Sequence, residues 1–213
     1  MPDYRLHGYR RSGSTIVELA LADIGADYDF VEVDLKTDAQ RRAGYAAVNP
    51  QRKLPALEMP DGTVMTESAA IVLALDRLHP EAGLMPEAAT LAYATALRWM
   101  MFAATECYPV IEINDYPERF APPGTEIAAA VREIARELWR QRWRIVEANL
   151  GGDPYLLAEG CCAADFYIAV VSRWAQQDAW RPANLPKIER LAAAIGERPS
   201  TAEVWRRSFP PPA

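Results

Sequence analysis

Residues 49–68 read NPQRKLPALEMPDGTVMTES, and this stretch limits the folds open to the chain more than any other. Two short apolar runs, LPALEM and TVMT, flank a Pro-Asp-Gly turn in which Pro fixes φ at one corner and Gly accepts a positive φ at the other. The pattern predicts an antiparallel hairpin. Pro55 heads its first strand, where a residue without an N–H is tolerated because it need not donate to the ladder. The second strand runs directly into Ala70, Ile71, Leu73, Ala74, Leu75 and Leu78, an apolar face at helical spacing that stops before His79-Pro80.

Upstream, Tyr4 to His7 reads as a strand, and Ser12 to Thr15 supplies turn and cap residues for a helix built on Ile16, Val17 and Leu19 to Leu21, ended by Gly25. Tyr28, Phe30, Val31 and Val33 give a second strand, and helical half-turns around Ala39 to Ala47 return the chain to Asn49. The order is therefore βαβ followed by ββα. Beyond the Pro- and Gly-containing segment His79 to Glu87 the periodicity is helical throughout. Helices are predicted from Ala88 to about Glu112, from Glu126 to Leu150 with Val131, Ile134, Leu138 and Ile145 inward, from Ala163 to Ala179 and from Leu185 to Ile195, with a loose FPPPA tail. This divides the chain into an α/β domain over 1–79, a linker over 80–87 and an all-α domain over 88–213.

Composition removes several function classes. A net charge of −6 and the lack of a basic stripe argue against nucleic acid as a partner. The three cysteines, Cys107, Cys161 and Cys162, have no Cys-x-x-Cys spacing, and only His7 and His79 could join them, so reduced thiols and no metal site are expected. No secretory leader or membrane-length apolar run is visible, which predicts a soluble, cytoplasmic protein with no membrane partner.

Two positions in the opening stretch could do more than shape a hairpin. A cis Leu54-Pro55 bond would turn the preceding backbone outward, so that Leu54 offers its N–H and C=O to an extended peptide as an added strand. Glu67-Ser68 reads most simply as a helix start with Thr66 as N-cap; the first N–H groups of that helix and the Ser68 hydroxyl would also bind a carboxylate, and Glu67 could accept from an ammonium. A backbone edge, a carboxylate cradle and an ammonium acceptor together fit the ends of a γ-glutamyl tripeptide.

On these residues the chain resembles the cytosolic glutathione transferases, which have an N-P-x-x-x-[VIL]-P-x-L loop and a helix-opening E-S-x-A-I; Asn49 to Leu57 and Glu67 to Ile71 match both. The family's G-x-x-[ST]-x-A-D box is met at Gly160 to Asp165, with Cys162 in the hydroxyl's place, a weaker cap by about 1 kcal/mol. Leu185 to Val204 looks like the family's last helix and its Arg-Pro exit at Arg198-Pro199. The resemblance implies a thioredoxin-like first domain with a cis-proline loop, an all-helical second domain, glutathione as co-substrate with a small electrophile, and a homodimer.

It also implies residue roles. Tyr9-x-Arg11-Ser12 is similar to the zeta-type motif, although Gly13 and Ser14 break its S-S-C continuation, and Ser12 is the expected hydroxyl donor to the glutathione thiolate. Ser14 and Tyr9 remain rivals, and Ser12 or Ser14 could equally be a helix cap. Gln40, Arg41 and Lys53 would form a polar rim for the glycine carboxylate, with Leu54, Pro55, Glu67 and Ser68 completing the glutathione site. The electrophile would lie against the helix from Ala88, where Trp99, Phe102, Tyr108 and Tyr116 offer aromatic surface; Glu106 and Cys107 stay unassigned. The activity implied is glutathione conjugation, the alternatives being a glutathione-dependent isomerase or peroxidase, or a non-catalytic binding module.

Overall fold

In the computed structural model, which describes residues 2–123, 126–175 and 179–210, strand β1 (Tyr4–Gly8) is the centre from which the first unit grows. It pairs in parallel with β2 (Tyr28–Glu32), Leu6 opposite Phe30, and antiparallel with β3 (Ala56–Glu58), Leu6 opposite Leu57. β3 pairs with β4 (Val64–Thr66), Ala56 opposite Thr66, so the sheet order is β2-β1-β3-β4. The parallel β1-β2 pair needs a crossover. Helix α1 (Ser14–Asp23) supplies it and buries Ser14 through Leu21. It packs against α3 (Ser68–Leu78), whose Ile71, Val72 and Leu75 are buried. Leu78 is 55% exposed, so the inner face of α3 is narrower than its apolar count suggests. Beside the short helix α2 (Ala43–Val48), Val33, Tyr45 and Ala56 form a second buried cluster, packed by Ala39, Val48 and Leu54.

The helical unit departs from the sequence reading at two places. The helix expected to run unbroken from Ala88 to Glu112 is instead α4 (Leu91–Phe102), a wider π-helical turn over Ala103–Cys107, and α5 (Tyr108–Asp115). Pro109 explains the break: it has no N–H to donate back and its ring crowds the carbonyl four residues earlier, so the turn before it opens. The start also moves, because Thr90 caps α4 by accepting from the Tyr93 N–H at 3.1 Å. In α6 (Ile127–Ala148) the inward positions are Ala135, Trp139, Trp143 and Val146. The predicted inner residues Ile134 and Ile145 are exposed, and Val131 and Leu138 only half-buried. The indoles bury more apolar area per residue than isoleucine and take the core-facing stripe.

α7 (Ala163–Val171) is buried along its whole length. It ends well before Ala179, and the intervening residues 176–178 lie outside those described. Cys162 is the N-cap residue of a capping box whose carboxylate half is well formed: Asp165 accepts from the Cys162 N–H at 2.8 Å and, with its other oxygen, from the Leu156 N–H at 2.7 Å. α8 (Arg181–Asn184) and α9 (Pro186–Glu197) follow, with Glu189 bridging Arg173 at 2.9 Å and Arg181 at 2.5 Å.

The chain forms two compact units, one of residues up to Ala88 together with the chain from Ile195 onward, the other Ala89–Ala194. The expected helical domain of 88–213 thus gives up its end. The reason is α10 (Ala202–Ser208), which lies on α1. Arg198 makes a two-point contact to Asp23 at 3.0 and 3.2 Å, Arg207 pairs with Glu18 at 2.7 Å, and the Thr15 and Ser208 hydroxyls meet at 3.4 Å. Phe209, first of the tail expected to be loose, stacks on Trp205 with centroids 4.6 Å apart; the tail beyond Pro210 lies outside the described residues. No helix among the described residues is long and apolar enough to cross a membrane.

Candidate active site

Strand register brings the candidate residues to one end of the sheet. β1 runs toward Gly8 and pairs His7 with Ala56, so the turn after Gly8 and the loop before Ala56 leave the sheet side by side. Ala56 also faces Thr66, which puts residues 54 and 68 at the open end of the hairpin. β2 ends at the same level, Gly8 opposite Glu32, and the chain leaving it carries Gln40. Ser12, Gln40, Lys53, Leu54, Pro55, Glu67 and Ser68 therefore share one end of the first unit.

The Leu54 loop is held by its neighbours. The Leu54-Pro55 bond is cis, as expected; a second cis bond, Asp153-Pro154, was not anticipated. Tyr45 and the buried Asn49 both donate to the Lys53 carbonyl at 2.7 Å, and Asn49 accepts from the Gln51 N–H at 3.0 Å. Burial pushes the Tyr45 phenol up to about 12, so it stays a donor across the physiological range. With the loop pinned there, Leu54 is half-buried through its side chain, and neither its N–H nor its C=O bonds to another described residue. An extended backbone edge is left open for pairing.

The helix start corrects one expectation. Thr66 is the last residue of β4 and caps nothing; Glu67 occupies the N-cap position with φ 64° and ψ 102°, and no side chain caps α3. A glutamate at positive φ is strained by about 1–3 kcal/mol. Glu67 is exposed, while Ser68 is 7% exposed at the first helical position. The helix thus presents its N-terminal field next to a carboxylate that faces solvent.

At the third corner, Arg11 adopts φ 62° and turns the chain into Ser12. Ser12 is half-buried and Ser14 completely enclosed. The Ser12 hydroxyl donates to the Tyr9 carbonyl at 2.6 Å, lies 2.9 Å from the Ser14 hydroxyl, and accepts from the Ser14 N–H at 3.2 Å. The N-cap position of α1 is Gly13, which has no side chain to offer, and the Ser12 hydroxyl meets the first helical N–H in its stead. Gly8 is required beneath this turn: a Cβ there would stand 2.5 Å from the Ser14 side chain.

The polar rim is less open than its residue types suggest. The Gln40 amide donates to Asp38 at 3.0 Å, and Arg41 pairs with the same carboxylate at 3.3 Å. Asp38 therefore offsets part of the positive potential expected there. Lys53 is exposed beside Leu54. Of the aromatic residues expected to face an electrophile, Trp99 is 2% exposed, enclosed with Phe102 in an edge-to-face pair at 5.5 Å, and Tyr108 packs on Trp174 at 4.8 Å. Only Tyr116 is exposed, and Arg119 covers its ring at 3.8 Å. Among the described residues no group of three or more His, Cys, Asp or Glu side chains is placed to hold a metal ion. Asn49 and Tyr45 are the site-shaping residues that motif reading did not assign; an Asn six places before the proline that heads a strand carries no signal of the carbonyl it will hold.

Comparison with known proteins gives the fold a family. The family described as "Glutathione S-transferase, N-terminal domain" matches residues 14–78, which run from α1 to the end of α3. The chain is 30% identical over 207 residues to an uncharacterized GST-like protein of Escherichia coli, covering 96% of this chain and 98% of that one. It is 37% identical over 79 residues to the maleylacetoacetate isomerase of Pseudomonas aeruginosa, covering 36% of this chain and 37% of the isomerase. A glutathione transferase homologue from Sulfitobacter, solved with bound glutathione, superposes with a TM-score of 0.88 at 27% identity, covering 97% of this chain and 99% of that one. The chain belongs to the glutathione S-transferase family.

Proposed function

We infer that the protein binds glutathione at this end of the sheet and uses its thiolate to attack a small electrophile. The observation that carries the reading is the pair of open backbone groups at Leu54 beside the uncapped start of α3. An extended tripeptide adds its cysteinyl N–H and C=O to Leu54 as one more strand. Its γ-glutamyl carboxylate takes the N-terminal field of α3 and the Ser68 hydroxyl, and its ammonium takes Glu67, which gives the strained φ of that residue a purpose. Gln40 and Lys53 approach the glycine carboxylate. Pro55 shapes the loop.

The thiol then points toward the β1-α1 turn. With a pKa near 8.5 roughly three per cent of it is ionised at pH 7, and a fall of about two units makes roughly three quarters thiolate. That fall needs about 2.7 kcal/mol of preferential stabilisation of the anion, the size of one charge-assisted hydrogen bond plus a helix N-terminus. Ser12 is the donor assigned to it: it is the half-buried hydroxyl of the turn, whereas Ser14 is enclosed. The thiol proton leaves to solvent, and the thiolate sulfur forms the bond to carbon as the leaving group departs with its electron pair.

A second reading has a specific observation behind it, the 79-residue match to a maleylacetoacetate isomerase. In that case the same thiolate adds to the substrate and is expelled again after rotation, so the two readings share the site and differ in the fate of the adduct.

The test is a titration of thiolate absorbance in the glutathione complex. Ser12→Ala is expected to raise the bound thiol pKa by about one to two units and to lower turnover at neutral pH far more than glutathione affinity. Ser68→Ala is expected to weaken glutathione binding by about 1–3 kcal/mol in calorimetry. A wild-type thiol that titrates at its solution value would leave only a binding protein.

A further inference from the structure

We propose that Arg11 is a specificity-determining residue that receives a carboxylate carried by the electrophile, so that the substrates of the thiolate are unsaturated carbonyl compounds with an acid group beside the carbon under attack. The proposal rests on the placing of the thiolate at the β1-α1 turn made above and adds the chemical class of the second substrate.

Arg11 combines strain, an unneutralised charge and a fixed place. It is exposed at φ 62°, a left-handed conformation that glycine would take at no steric cost. It forms no ion pair with any described residue, although the net charge of −6 leaves acids in excess in this chain. Its guanidinium lies instead over the Phe209 ring, 5.7 Å from the centroid, a contact that holds a cation without neutralising it. Phe209 is in turn stacked on Trp205 at 4.6 Å, and the contact between the Thr15 and Ser208 hydroxyls sets this end of α10 against the first turn of α1. The charge is thereby stationed at the start of α1, where the Ser12 hydroxyl also stands. Its neighbour Arg10 differs, because the charge of Arg10 acts on Glu18.

A thiolate that attacks a carbon next to a carboxylate brings two negative charges within a few ångströms, and their repulsion grows as water is excluded. A guanidinium answers it, being planar, permanently charged and able to donate two parallel hydrogen bonds to a carboxylate. A flat apolar electrophile is less well provided for: Trp99 is buried, Tyr108 packs on Trp174 and Tyr116 lies under Arg119. The step is an addition. The sulfur forms a bond to the carbon β to a ketone, the electron pair of the C=C bond moves through the α-carbon onto the ketone oxygen, and a proton from water completes the C–H bond at the α-carbon. In the isomerase reading the same pair returns and expels the sulfur.

The experiment compares kcat/KM for glutathione addition to 4-oxo-4-phenylbut-2-enoate and to its methyl ester, each relative to the uncatalysed rate. Wild type is expected to favour the acid. Arg11→Gln should lower the rate with the acid by roughly 10- to 100-fold, the range for a lost hydrogen bond to a charged group, and leave the ester within about twofold. Arg11→Lys, which keeps the charge and loses the fork, should fall between. Arg11→Gly removes the charge while suiting the left-handed φ, so it should show the same loss and covers the case in which Arg11→Gln does not fold. Acid and ester slowed alike, with a raised pKa of the bound thiol, would make Arg11 a partner of the thiolate and overturn the proposal. An equal loss of acid preference in Arg10→Gln would make it a general effect of charge and overturn it too. Turnover of the ester as fast as the acid, or of neither by a protein that binds glutathione in calorimetry, overturns it and leaves the glutathione site standing; a protein that binds no glutathione loses both.

Discussion

Replacing Arg207 by methionine separates two descriptions of the contact between α10 and α1. The Glu18 carboxylate is 5% exposed and has two partners, Arg207 Nη2 at 2.7 Å and the Tyr28 hydroxyl at 3.2 Å. Burial pushes the Glu18 carboxyl above its ordinary value of 4.5, against the pull of Arg207, Tyr28 and Arg10. The Arg207 guanidinium is raised as well, by Glu18 in spite of its own burial, and there the shift favours the charged form. The partners differ because Glu18 is enclosed while the Arg207 side chain is 40% exposed. Removing the arginine strands a buried charge, which costs about 3–5 kcal/mol. Glu18→Gln leaves a guanidinium that water can solvate, and the cost should stay within about 1 kcal/mol. The pH dependence fixes the sign. A carboxyl whose folded pKa is raised contributes stability that is complete below the unfolded value and lost as pH rises through the folded one. In the methionine variant the main lowering influence is gone and the folded pKa rises further, so its deficit against wild type opens as pH rises through the wild-type folded value, above 4.5, and grows until pH passes the variant's own. Urea denaturation of the three proteins at pH 4 and pH 8 measures this. Equal deficits at both pH values, or a Glu18→Gln loss as large as that of Arg207→Met, would refute the description of Glu18 as the buried, dependent partner.

Asp165→Ala removes the acceptor of two buried N–H groups, those of Leu156 and Cys162, and should cost about 3 kcal/mol or more in chemical denaturation. A thiol-labelling time course on the native protein should show one fast site, Cys161, because Cys107 is buried with its thiol pushed up to about 12 and burial raises Cys162 further still. Trp143→Ala should destabilise by about 3–5 kcal/mol and Ile134→Ala by about 0.5 kcal/mol or less, since the first is fully buried and the second 68% exposed.

The first unit was readable because its signals are local. A proline at the head of a strand, a Pro-Asp-Gly turn and apolar positions at two different periods each fix a few residues of backbone, and the hairpin and α3 follow within a residue or two of the reading. The misplaced cap at Thr66 shows where locality ends: threonine is the better cap by residue type, yet pairing of Thr66 with Ala56 extends β4 and pushes the helix start onto Glu67. In α6 the isoleucine stripe and the Trp139-Trp143 stripe have the same period, and periodicity alone does not choose between them. The hydroxyl-rich turn was visible as SGST, but which serine is enclosed depends on Gly8 and on a Tyr9 main chain whose geometry no spacing encodes. The reading of a polar rim at Gln40 left out a charge, because Asp38 only becomes its neighbour through a left-handed turn at φ 54°.

The return of the chain from Ile195 onward to the unit it began in also bears on synthesis. When residues 1–88 have left the ribosome, α1 already carries Glu18 and Asp23 toward a surface that nothing yet occupies, and the arginines that answer them, Arg207 and Arg198, are encoded beyond the whole of Ala89–Ala194. The first unit is thus the first to start and the last to be completed. A protein cut at Ala88 would keep every strand and helix of its sheet layer and still be unfinished, with Glu18 and Asp23 left on an uncovered face without the arginines that pair with them.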